Sequence, residues 1–123
     1  MIDHPCILLV ENYYATRIAE RDFLESKGYI TYCCTTGKEV MDAVEGGLAY
    51  ELAIVDRSLP DVADNSLVRR LKDIHPDIPV ILVTAAERFV ERSADVTLYR
   101  IFTPQTLLET VERLLRERER SRS

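Results

Sequence analysis

The chain has 123 residues, 46% hydrophobic and 30% charged, with a net charge of −5, the balance of one soluble globular domain. The acidic balance excludes non-specific nucleic-acid binding as its main task. No apolar run approaches the roughly 20 residues needed to span a bilayer.

The start, Met1-Ile2-Asp3-His4-Pro5, shows no basic region ahead of an apolar core, so no secretory signal is expected and a cytoplasmic location is. Cys6-Ile7-Leu8-Leu9-Val10 reads as a first buried strand, ending on Glu11-Asn12. A helix follows from about Ala15 to Lys27, with Ile18, Ala19, Phe23 and Leu24 at helical spacing and Gly28 suited to its C-terminal cap. Tyr29 to Cys34 reads as a second strand. The cysteines Cys6, Cys33 and Cys34 lack metal-type spacing and read as small hydrophobes in a reducing cytoplasm. Thr36 is a candidate N-cap, with Glu39 completing a capping box. That helix runs to about Glu45, buries Val40, Met41 and Val44, and stops at Gly46-Gly47.

The third strand, Leu52 to Val55, closes abruptly on Asp56, with Arg57-Ser58-Leu59-Pro60 behind it. A polar loop, Asp61 to Asn65, leads to a helix from Ser66 to Ile74 with Leu67, Val68, Leu71 and Ile74 inward. His75-Pro76-Asp77-Ile78-Pro79 breaks it, since a residue before proline avoids the helical region. His4 and His75 both sit beside prolines and read as surface residues. Val80 to Val83 is the fourth strand, ending on Thr84-Ala85. A short amphipathic helix is expected over Glu87 to Ser93, and a fifth strand over Thr97 to Phe102. Pro104 suits a first helical position, and the last helix buries Leu107, Leu108, Val111, Leu114 and Leu115. From Arg116 the Arg/Glu alternation predicts a solvated helix end or the start of a linker.

Five strands alternating with five helices predict an α/β fold, a parallel sheet covered on both faces. The expected division is one domain over 1–115 and a charged tail over 116–123.

In such sheets chemistry sits beyond the carboxyl ends of the strands. Glu11-Asn12, Asp56 and Thr84 stand at three of those ends. Each alone reads equally as a turn, a cap or a satisfied strand end. If those three strands are neighbours, the side chains meet on one rim and suit phosphoryl transfer to a carboxylate, with Asp56 as nucleophile. Mg²⁺ would sit between Asp56 and Glu11-Asn12, because hard cations take oxygen ligands. Thr84 would donate to a phosphoryl oxygen, gaining a partner it otherwise lacks.

These stretches resemble the receiver domain of bacterial two-component response regulators. The resemblance lies in Ile7–Asn12, Ala53–Asp61, Ile78–Ala85 and Phe102-Thr103-Pro104. It implies a doubly wound, flavodoxin-like sheet of order 2-1-3-4-5. By resemblance Asp56 is the phosphoacceptor, Thr84 the switch hydroxyl, and Ser58 the residue whose backbone carbonyl helps hold Mg²⁺. The implied partners are a sensor histidine kinase or phosphotransfer protein as donor and a downstream protein as receiver of the signal. The implied module is no enzyme and contacts neither nucleic acid nor membrane directly.

The chain departs from the family pattern in several places. Asn12 stands where a second acid usually contacts the metal, so metal binding is expected to weaken. Thr103 stands where a Lys usually pairs with the phosphoryl group as a point charge. Lys27, Lys38 and Lys72 are not placed at this rim. Arg100 replaces an aromatic switch residue, and strand alternation predicts that it faces away from Thr103. Asp61 and Asp64 replace glycines. The stretch from Thr84 to Thr103 is short, which alters the face that serves output and homodimer formation in the family. A receiver-like protein-binding module that is never phosphorylated is the main rival. A flavin or cobalamin domain would want a phosphate loop after the first strand, and Glu11-Asn12-Tyr13-Tyr14 is the wrong chemistry for one.

Overall fold

The computed structural model describes residues 3–62 and 66–122. In chain order the elements are β1 (Cys6–Val10), α1 (Tyr14–Ser26), β2 (Ile30–Cys34), α2 (Gly37–Glu45), β3 (Leu52–Asp56), α3 (Ser66–Ile74), β4 (Val80–Thr84), β5 (Val96–Tyr99) and α4 (Pro104–Arg122). The five strands form one sheet in the order β2-β1-β3-β4-β5, every pairing parallel.

Alternation along each strand builds two cores. Leu8 and Val10 of β1 join Ala53 and Val55 of β3 beneath Val40, Met41 and Val44 of α2 and Leu67, Val68 and Leu71 of α3. Ile7 and Leu9, with Ile54, face Leu24 of α1 and Leu107, Val111 and Leu114 of α4. Each such aliphatic side chain contributes about 1.5–3 kcal/mol by leaving water. Cys34 belongs to the first core and Cys33 packs against the second, as alternation predicts. Burial pushes the Cys34 thiol up to about 12, which leaves it protonated and unreactive.

Several expectations are corrected. Residues Glu87 to Ser93 form turns rather than a helix, so the described residues hold four helices. Local contacts hold this segment instead: the Arg57 guanidinium lies 4.0 Å from the Phe89 ring centre, and Tyr99 donates to the Phe89 carbonyl at 2.7 Å. β5 ends at Tyr99, three residues short of Phe102. Ile74, expected inward, is 45% exposed at the last position of α3. His75 is half-buried, with Nδ1 3.0 Å from the Tyr50 hydroxyl. The loop after Asp61 lies partly outside the described residues, and Asp64 lies wholly outside them.

Two acceptors cap α2. Thr36 Oγ1 accepts from Glu39 N at 3.1 Å, and the Glu39 carboxylate turns back to accept from Thr35 N at 2.8 Å. Asp61 adds a cap that local spacing does not reveal, accepting from Gly37 N at 2.8 Å and Lys38 N at 3.0 Å. These bonds hold its carboxyl below the usual range. α4 opens with Pro104 at its first position, and Thr103 Oγ1 accepts from Thr106 N at 3.1 Å as its cap. No helix among the described residues is long and apolar enough to cross a membrane.

Candidate functional site

The register brings the strand ends together. Val10 pairs with Val55, so the next residues, Glu11 and Asp56, emerge side by side. Asp56 pairs with Val83, which puts Thr84 one step beyond on the neighbouring strand. Glu11 and Thr84 are 5% and 3% exposed. The Asp56 side chain is 13% exposed, enclosed but reachable.

Each side chain is held. Asp56 Oδ1 accepts from Ser58 N at 2.7 Å, the local bond by which an Asp organises the turn after its strand. Arg17 of α1 donates from Nη1 to the carbonyls of Glu11 and Asn12, at 3.0 and 3.2 Å. Those bonds secure the β1–α1 turn and leave Asn12 exposed at the rim. Thr84 Oγ1 accepts from Ala86 N at 3.0 Å. The Thr84 hydroxyl therefore already has a partner, contrary to expectation, and it is the hydroxyl proton that remains to be donated.

Arg100 is the largest correction. Its Nη2 stands 3.3 Å from Glu11 Oε1 and 3.5 Å from Asp56 Oδ2, and its Nη1 donates to Glu20 Oε2 at 3.2 Å. Its Cζ lies 5.0 Å from the Phe102 ring centre. Alternation sets it on the opposite face from Thr103, which counted it out as a replacement cation, but β5 has ended at Tyr99 and the rule lapses beyond the strand. The backbone still follows the sheet, since Arg100 N donates to Thr84 O at 2.8 Å. Thr103, by contrast, spends its hydroxyl on the cap of α4 and is exposed. The cation of this pocket is thus Arg100.

Sequence reasoning also missed Glu20. Its side chain is 11% exposed. It precedes Phe23 and Leu24 by three and four positions, on the face that α1 turns inward. A carboxylate in the middle of an apolar stripe was the available signal.

Two of the carboxylates around the guanidinium, Glu11 and Glu20, are shifted upward. Burial, and next the Asp56 carboxylate, push Glu11 up to about 7, with Arg100 pulling the other way. Burial raises Glu20 as well, again opposed by Arg100.

Glu11 and Asp56 carboxylates with a nearby backbone carbonyl at Ser58 fit a hard divalent cation in chemical kind. Among the described residues no group of three or more His, Cys, Asp or Glu converges as a metal site. The guanidinium reaches into the space between the two carboxylates.

Comparison with known proteins points the same way. The family model described as "Response regulator receiver domain" matches residues 7–112. The chain is 30% identical over 120 residues to the sensor kinase CckA of Brucella abortus, covering 92% of this chain and 13% of that protein. It is 29% identical to the transcriptional regulatory protein CreB of Escherichia coli, covering 76% of this chain and 43% of that one. It is also 29% identical to sporulation initiation phosphotransferase F of Bacillus subtilis, covering 64% of this chain and 63% of that one. The chain thus spans less than half the length of the first two. Among solved structures, a CheY-like receiver domain protein from Methanospirillum hungatei superposes with a TM-score of 0.88 at 25% identity, covering 96% of this chain and 98% of that one. The N-terminal domain of a response regulator/sensory box/GGDEF protein from Carboxydothermus hydrogenoformans gives 0.84 at 26% identity, covering 96% and 99%.

Proposed function

The chain belongs to the response regulator receiver domain family, and from that membership we propose that Asp56 is its phosphoacceptor. One carboxylate oxygen of Asp56 attacks the phosphorus of a phosphohistidine on a sensor kinase or phosphotransfer protein. The P–N bond breaks, an aspartyl phosphate forms, and the imidazole takes up a proton. The observation that carries this reading is the convergence of Glu11, Asp56 and Thr84 at three adjacent strand ends.

The Glu11 and Asp56 carboxylates, the Ser58 carbonyl and the Asn12 side-chain carbonyl are the oxygens that would hold Mg²⁺. When bound, the ion offsets negative charge on the transferring group. Ser58 N orients Asp56 through its bond to Oδ1. Thr84 keeps its bond from Ala86 N and turns its proton toward a phosphoryl oxygen. Arg100 is the cation resident in this pocket, while Thr103 caps α4. The modified domain signals to a downstream protein, with a cytoplasmic kinase as its donor.

Intact-mass spectrometry after incubation with acetyl phosphate and Mg²⁺ tests this. The expected result is a single phosphoryl adduct, absent from Asp56→Ala. No adduct, under conditions that modify an ordinary receiver, would overturn it in favour of a binding module that works unmodified.

A further inference from the structure

We propose that Arg100 is a built-in competitor for the divalent cation, occupying the ground between Glu11 and Asp56 that a metal ion must take. The inference rests on the reading of Glu11 and Asp56 as metal-holding carboxylates, but not on phosphorylation of Asp56.

Arg100 is held at two places at once. One is the gap between the carboxylates, where a single nitrogen, Nη2, faces both Glu11 Oε1 at 3.3 Å and Asp56 Oδ2 at 3.5 Å. These are long contacts for charge-assisted bonds, which run at about 2.7–2.9 Å when well formed. The other is anchored by Glu20 Oε2 at 3.2 Å and the Phe102 ring at 5.0 Å. A cavity of about 90 Å³ adjoins that second anchor, lined by Glu20, Phe23, Arg100, Phe102 and Leu107. Glu11 and Asp56 do not line it. The guanidinium can therefore release Glu11 and Asp56 toward that cavity and keep Glu20, itself at 3.2 Å, and Phe102.

A cation already in the gap opposes a second one in two ways. It repels the incoming ion across a short distance in a poorly hydrated pocket. It also occupies lone pairs on both carboxylates, which the ion needs as ligands. Metal entry and Arg100 withdrawal are then one exchange. Glu20 makes the exchange affordable, because the displaced guanidinium keeps a carboxylate partner and is not left buried without one.

The test is a direct Mg²⁺ titration by calorimetry at pH 8, with no phosphoryl donor present. Wild type is expected to bind weakly. Arg100→Ala and Arg100→Gln should each bind about tenfold or more tightly, the scale of one hydrogen bond to a charged group. Arg100→Lys, which keeps the positive charge, should stay nearer wild type. Circular dichroism establishes that each variant is folded. A second readout uses wild type alone: the Arg100 Nε–H resonance should shift as Mg²⁺ is added. Unchanged or weaker Mg²⁺ binding in the folded neutral variants overturns the proposal, as does an Arg100 resonance that stays fixed while Mg²⁺ binds. Because no phosphate is involved, tighter binding in Arg100→Ala sustains this inference even where the Asp56 adduct fails to form.

Discussion

Arg100 Nη2 stands 3.5 Å from Asp56 Oδ2, although the two residues lie 44 positions apart, one at the end of β3 and the other just past the end of β5, strands that are not adjacent in the sheet. One side chain from the end of β5 crosses the mouth of β4 to reach the end of β3. The charge state and the stability of the pocket both follow from that contact.

Removing the guanidinium leaves three carboxylates facing one another in a pocket largely closed to water. Arg100→Ala should lower stability by about 1–2 kcal/mol at pH 8, between the values for exposed and buried pairs. At pH 5 the loss should shrink, because protonated carboxyls no longer repel. Urea denaturation of both proteins at the two pH values checks this.

Glu11 titrates near 7 in the folded protein, above the ordinary glutamate range. Between those two values the folded chain binds more protons than the unfolded one, so this group's contribution falls as pH rises. The stabilisation is complete below the ordinary range and lost as pH passes about 7. Wild type should therefore lose stability relative to Glu11→Gln from about pH 5 to 8, since glutamine cannot ionise. Glu20 shifts in the same direction, so a residual slope should persist in the variant. Melting temperatures of both proteins across that range are the measurement.

Thr84 Oγ1 is a structural acceptor as well as a candidate switch. Thr84→Val keeps the shape but leaves Ala86 N without its bond. It should cost about 1 kcal/mol, and Thr84→Ser should restore most of it. If Thr84→Val were as stable as wild type, the hydroxyl would have no structural share in the turn.

Asp61 stands where the family resemblance would put glycine, and here it caps α2 through Gly37 N and Lys38 N. Asp61→Gly should lower the melting temperature at neutral pH. Its carboxyl is held below the usual aspartate range, so its stabilising share is present above that range and lost as pH falls through the lowered value. Wild type and variant should accordingly converge in acid. A gap between them that persists at low pH would assign the loss to the glycine backbone rather than to the cap.

The elements legible in the sequence share a cause. Strand and helix periods are properties of neighbouring residues, so Leu8 and Ile7 declare opposite faces and Val40, Met41 and Val44 one face without any knowledge of the fold. Thr36 and Pro104 announce helix starts by local chemistry alone. The segment from Glu87 to Ser93 misled because its helical pattern is short, and contacts from outside it hold it instead: Arg57 and Tyr99 on Phe89, and Arg69 of α3 on Glu91.

By itself, then, the sequence determined the parallel strands, their two apolar layers and the placing of Glu11, Asp56 and Thr84 at three strand ends, and the sheet order made those ends neighbours. Only the tertiary structure decided which charges meet there. Arg100 leaves the strand one residue before its reach matters, Glu20 turns inward from α1, and Asp61 crosses to α2. The periods of 2 and about 3.6 govern where Cβ atoms point. A long flexible side chain at the end of an element escapes them, and its partners are chosen by which oppositely charged groups the folded chain has already enclosed.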